Sequence, residues 1–104
     1  MDPLILEQVS VLIADVKSAL NVSTPPYSQD LKIKINKIAK LSIDWKHKGT
    51  GQIYHISLIT NVETDRPTGW QPTAVYSNAF IKEVVWSRPL VEFLDSFEPI
   101  QKVT

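Results

Sequence analysis

The sequence contains no cysteine. That excludes disulfides, a thiolate nucleophile and every thiolate metal site, and it fits a reducing compartment. Net charge is also missing: Lys+Arg 11 balance Asp+Glu 11, so nothing global attracts nucleic acid. The histidines are two, His47 and His55, and no helical metal motif uses their spacing. No run of about 18 consecutive apolar residues exists, so no membrane span is expected. The N-terminus lacks the basic, apolar, then small-residue order of a signal peptide. The chain is therefore expected to act in the cytoplasm, and the acceptor-like Asn21-Val22-Ser23 carries no weight. There is no internal repeat and no low-complexity segment.

What remains is ordinary for one folded domain: 104 residues, 43% hydrophobic and 21% charged. Asp2-Pro3 is a helix start, with a capping acid before a proline preorganised for the first turn. Ile5, Val9, Leu12, Ile13, Val16 and Leu20 then recur at three- and four-residue spacing, which predicts a helix over Pro3 to Leu20. The stripe packs on the rest of the domain or on a second copy, so a homo-oligomer is allowed. Pro25-Pro26 makes a connection. Ser28 to Leu41 supports two readings. Leu31, Ile35 and Ile38, with Asp30 early and Lys37 and Lys40 late, suit a helix. Leu31, Ile33 and Ile35 alternating with lysines suit a strand. Charge placement tips the reading toward helix, with the strand left open.

From Leu41 the period becomes two. Leu41, Ile43 and Trp45 face one way, and Ser42, Asp44 and Lys46 the other. Gly49-Thr50-Gly51 is a turn, and Ile53 to Val62 is the returning strand, with Tyr54, Ile56, Leu58 and Val62 on one face. Glu63 to Pro72 is a polar loop. Thr73 to Ser77 and Ile81 to Ser87 read as two further strands. Pro89 opens a short helix that turns Leu90, Phe93, Leu94 and Phe97 to the core, and Pro99 stops it, leaving a frayed end. The expected fold is α+β: an N-terminal helix packed on a small antiparallel, SH3-like bent sheet or partial barrel of four or five strands, with a short C-terminal helix. Residues 1–40 form a helical support segment and 41–98 the small β domain, in one domain spanning 1–104.

Candidate chemistry lies at a few positions. Ser57, Ser77 and Ser87 lack the strand–sharp turn–helix setting of an activated serine, and Asp44 near His47 is no defined pair, so no catalytic residue and no cofactor is expected. Lys46, His47 and Lys48 gather donors around a turn, and Arg88 offers a planar bidentate donor for phosphate or carboxylate; its bland alternative is a salt bridge to Glu92 or Asp95. Trp45, Tyr76 and Trp86 on strands could stack a base or fill the core. Trp70, in a proline- and glycine-rich loop with Arg66, has the position of an anchor for a protein partner. Lysines crowd residues 31–48 and acids crowd 91–98, a polarity that could steer an anion.

Trp45-Lys46-His47-Lys48-Gly49, Tyr54, Val75-Tyr76, Trp86-Ser87-Arg88-Pro89-Leu90 and Phe93 together carry a resemblance. Over about 44–97 the chain resembles a family of small uncharacterised bacterial and phage proteins, a domain of unknown function with a Lys-His-Tyr-Lys-Gly … Trp-Val-Arg-Pro-Leu pattern. It departs in lacking the Tyr between His47 and Lys48 and in having Ser87 for Val. The resemblance implies a small β domain and a bacterial or phage setting, and it supplies no activity. Two functions are carried forward. One is a non-catalytic module that binds a protein partner through Trp70 and Arg66. The other binds or sequesters a nucleotide-like anion through Lys46, His47, Lys48 and Arg88 with Trp45, Tyr76 or Trp86, as a phage anti-defence protein would; nucleic acid is a weaker version of it.

Overall fold

The structure, a computed structural model, describes residues 3–103. Helix α1 spans Pro3–Val22 and α2 spans Gln29–Ala39. The cap expected at Asp2 lies outside the described residues. Val9, Ile13 and Val16 are buried and Leu12 and Leu20 pack beside them, while Ile5 stays exposed. In α2 the helical reading holds. Ser28 Oγ accepts the Leu31 N–H at 3.2 Å, satisfying an amide that the first turn leaves free. Asp30 and Lys37 sit at the ends that the helix dipole favours. Leu31, Ile35 and Ile38 are buried on one stripe, and Ile33, which a strand would have buried with them, is exposed. Burial of Tyr27 in the connection between the helices pushes its phenol above the usual tyrosine range.

Five strands follow: β1 Asp44–His47, β2 Ile53–Thr60, β3 Thr73–Asn78, β4 Val85–Pro89 and β5 Phe97–Ile100, with α3 at Leu90–Ser96 between the last two. They form one open antiparallel sheet in the order β4-β3-β2-β1-β5. The first four make a meander. Helix α3 then carries the chain from one edge to the other, so that β5 pairs with β1. Cross-strand partners share a face, which places Trp45, Tyr54, Ile56, Ala74, Tyr76, Trp86, Arg88 and Phe97 on the helix side. All three helices and the sheet contribute to one core.

Three local expectations are corrected. Pro99 does not end the ordered chain. Residues 97–100 are an edge strand, a place that tolerates a residue without an N–H. Beyond it the Val103 N–H donates to Asp44 Oδ2 at 2.8 Å. The fourth strand begins at Val85, not Ile81, because Asn78 Oδ1 accepts the N–H groups of Phe80 and Ile81 at 2.9 and 3.2 Å and folds that stretch into a turn. Finally, the β2–β3 register shifts between Ile56 and Leu58, so Ser57 is a bulged residue. The bulge reverses the alternation: Leu58 turns out to solvent and Ile59 packs on the core.

The bulge makes adjacent residues unequal. Ile59→Ala should cost about 2 kcal/mol or more, and Leu58→Ala less than about 1 kcal/mol, measured by urea unfolding. The opposite ranking would show an unbulged β2.

Candidate functional site

One aromatic cluster links the core to the surface. Phe93 on α3 and Phe97 at the start of β5 are stacked, with centroids 4.2 Å apart and planes at 11°. Trp45 meets Phe93 edge-on, and Tyr54, Tyr76 and His47 meet Phe97 at centroid distances of 5.3, 5.2 and 4.9 Å. Trp45 is 1% exposed and is core, so it has no ring face to offer a ligand. Phe97, 2% exposed, belongs to the same core and also lines a cleft of about 160 Å³ on the helix-side face. His47, Thr50, Tyr54, Tyr76, Trp86 and Arg88 complete its lining.

Local structure fixes the polar groups of this cleft. The hairpin closes with His47 N–H donating to the Gln52 carbonyl at 2.9 Å and Gly51 N–H donating to the His47 carbonyl at 2.8 Å. Gly51 has φ +75, a conformation that side chains resist. The His47 ring folds over its own turn, where Nδ1 accepts the N–H groups of Gly49 and Thr50 at 3.0 and 3.2 Å. With Nδ1 an acceptor, the neutral ring carries its proton on Nε2. Gly49 permits this fit, since a Cβ there would lie 3.0 Å from His47 Cε1.

Arg88 is held differently. Its Nε donates to the Tyr76 hydroxyl at 3.1 Å, and its guanidinium lies 5.3 Å above the Phe97 ring centroid. Neither Glu92 nor Asp95 takes it; Asp95 pairs with Lys17 instead. Among the described residues no carboxylate forms an ion pair with Arg88, and the terminal N–H groups of its fork have no protein acceptor. Trp86, 53% exposed, stands beside it.

The remaining candidates lie elsewhere. Lys46 points to the opposite face and sits 3.6 Å from Glu98. Lys48 lines a separate hollow with Ser10 and Lys17. The basic turn therefore delivers only His47 to the cleft. Arg66 and Trp70 meet each other in the long loop, with the guanidinium 5.2 Å from the ring centroid, along an open groove of about 520 Å³ that Asn36 and Asn61 also line.

On the sheet's other face sits a pair that the sequence reading did not join. Asp44 is fully buried, with Oδ1 3.2 Å from His55 Nδ1 and Oδ2 bonded to Val103 N–H. The signal was available: positions 44 and 55 are equidistant from the hairpin turn and hence opposed on one face, in register with Trp45↔Tyr54. Ser77 is the cross-strand partner of His55 on β3, so an Asp–His–Ser row crosses three strands. No hydrogen bond joins Ser77 to His55 among the described residues, and the row lies away from the cleft. It ties the C-terminal end to the sheet. Among the described residues there is also no group of three or more His, Asp or Glu that could hold a metal ion, and no helix long and apolar enough to cross a membrane.

Nothing matches this chain in comparisons with protein-family models, with curated proteins or with solved structures.

Two outcomes follow from this geometry. Asp44→Ala should destabilise the fold by about 1–3 kcal/mol, the cost of buried partners left unsatisfied, and should abolish exchange protection of the Val103 amide. Protection that survives would show that the carboxylate does not hold the tail. Gly49→Ala should displace the His47 ring, read as a change in its NMR chemical shifts, with the sheet amides unmoved.

Proposed function

We propose that this chain is a non-catalytic binding module whose cleft takes a phosphate or carboxylate carried on a planar ring, a nucleotide-like anion. The observation that carries this reading is Arg88. Tyr76 and Phe97 orient its guanidinium, no acid among the described residues pairs with it, and it lines a hollow beside an exposed tryptophan. Unused planar donors suit a two-oxygen anion. His47 Nε2–H adds a neutral donor from across the cleft, and Trp86 offers a ring face for stacking. The volume of about 160 Å³ is below the ~300–1,000 Å³ of sites that engulf a small molecule. It suits the anion and part of one ring, with the rest of the ligand at the surface. The motif resemblance adds a bacterial or phage setting, in which such a module would sequester a nucleotide signal as an anti-defence protein does.

A second reading has its own observation. Trp70 is 51% exposed and stacked by Arg66 along the larger groove. An exposed tryptophan held in place by an arginine is the type of anchor that protein interfaces use, so this loop is the surface for a protein partner.

Titration calorimetry with a nucleoside monophosphate, the parent nucleoside and inorganic phosphate separates the readings. The monophosphate should bind, and each fragment should bind more weakly. Arg88→Ala should weaken the monophosphate about ten- to a hundredfold, as the loss of a charged hydrogen bond implies, and Trp70→Ala should leave it unchanged. Binding that ignores Arg88, or no binding in a folded protein, would remove the cleft reading and leave the Trp70 loop.

A further inference from the structure

Two turns lie at the same end of the sheet, and both are closed by the same device. After β3, Asn78 Oδ1 accepts the N–H groups of Phe80 and Ile81, two and three residues on, at 2.9 and 3.2 Å. After β1, His47 Nδ1 accepts those of Gly49 and Thr50, again two and three residues on, at 3.0 and 3.2 Å. The pairings of Tyr54 with Trp45 and with Asn78 put the two turns on neighbouring strands. The acceptors differ in one property. A carboxamide oxygen keeps its lone pairs across the ordinary pH range, whereas an imidazole nitrogen loses its lone pair when the ring gains a proton.

We propose that His47 is a proton-sensitive latch that sets one wall of the cleft. When neutral, the ring holds the turn and lines the cleft together with Thr50. When protonated, Nδ1 carries a hydrogen directed at two amide hydrogens, so both bonds are lost and the ring leaves the turn. The surroundings offer the imidazolium no replacement. Phe97 of β5 meets the ring edge-on at 4.9 Å. Tyr54 of β2, Tyr76 of β3 and Arg88 of β4 line the same cleft, and Arg88 is itself a cation. Of the flanking lysines, Lys46 lies on the opposite face against Glu98. Lys48 lines the separate hollow with Glu98 and with Lys17, whose amine pairs with Asp95 of α3. Among the described residues no carboxylate forms an ion pair with His47. The hairpin outlasts release of the ring, because the bonds from His47 to Gln52 and from Gly51 to His47 join backbone groups that do not titrate. The latch needs no ligand, so it stands or falls apart from the anion reading.

NMR of the ligand-free full chain from about pH 8 to about pH 5, the range in which histidine changes charge, tests this. At the upper end the His47 ring should carry its proton on Nε2 and show a nuclear Overhauser contact from Hε1 to the Gly49 Hα. As the ring gains its second proton that contact should vanish, and the Gly49 and Thr50 amide protons should move upfield with the ring's own midpoint. The Phe80 and Ile81 amides, held by Asn78, should stay where they are. His47→Asn puts the acceptor of the neighbouring turn in place of the imidazole, and its Gly49 and Thr50 amides should no longer respond to pH. His55 is retained in that variant, so a response arising on the other face of the sheet would persist there. A neutral ring protonated on Nδ1, a contact that outlasts protonation, Phe80 and Ile81 moving in step, or amides that still respond in His47→Asn overturns the proposal.

Discussion

The stacked pair Phe93–Phe97 is the constraint around which this molecule is arranged. Helix α3 has only seven residues, too short to stand alone. It is held because Leu90, Phe93 and Leu94 are buried beneath it and because Phe97, the first residue of β5, continues its apolar stripe. The same stack delivers β5 to β1 with Phe97 opposite His47. One aromatic contact thus fixes the crossover from one sheet edge to the other. It also lines the cleft, since the ring that stacks on Phe93 is touched from other sides by His47, Tyr54, Tyr76 and Arg88. Core and candidate site are continuous, and the site inherits the rigidity of the core.

Much of this architecture was legible in the residues because it is local. The stripe of α1, the hairpin around Gly51 and the inward set of α3 each follow from spacing within a few residues, whereas α2 reads in sequence as either helix or strand and its Ser28 cap shows only in the fold. What was not legible depends on partners far away in sequence. Strand β5 looked like a frayed end because Pro99 breaks helices, and only the open edge of β1 makes a strand of it. The bulge at Ser57 has no glycine to announce it, yet it decides that Ile59 and not Leu58 faces inward. Trp45 and Trp86 are both strand tryptophans, and no local pattern separates them. The first is covered by α3, and the second sits on an edge strand.

Charge follows the same rule. The lysine-rich stretch and the acidic stretch look like separate poles in sequence. In the fold each stretch meets opposite charge: Lys46 pairs with Glu98 across β1 and β5, Lys32 with Glu63 of the following loop, and Asp95 with Lys17 of α1. These pairs are exposed or partly exposed and contribute little to stability, but they reduce the polarity that would steer an anion over the whole surface. Attraction has to arise where a cation is left unneutralised, and Arg88 is such a place.

The two faces of the sheet show why geometry points to one of them. Each carries a histidine with a fixed ring. His55 has a carboxylate partner, and that carboxylate is fully buried and bonded to the incoming tail at Val103. Its hydrogen bonds end within the protein, and changing them disturbs the fold. His47 uses its Nδ1 on the turn that follows it, which leaves Nε2 with no hydrogen-bond partner among the described residues, and the ring lines the cleft that Arg88 also lines. Both sets of residues are polar, conformationally fixed and built on strands, so neither residue type nor position in the sequence separates them. The difference lies in where the donors end. Those of the Asp44 face end on the protein's own atoms, whereas those of the cleft end in a hollow walled by aromatic rings. The Tyr76 hydroxyl and the Phe97 ring hold the Arg88 guanidinium in place, and among the described residues no acid pairs with it. The charge left open there is the one that the proposed anion would supply.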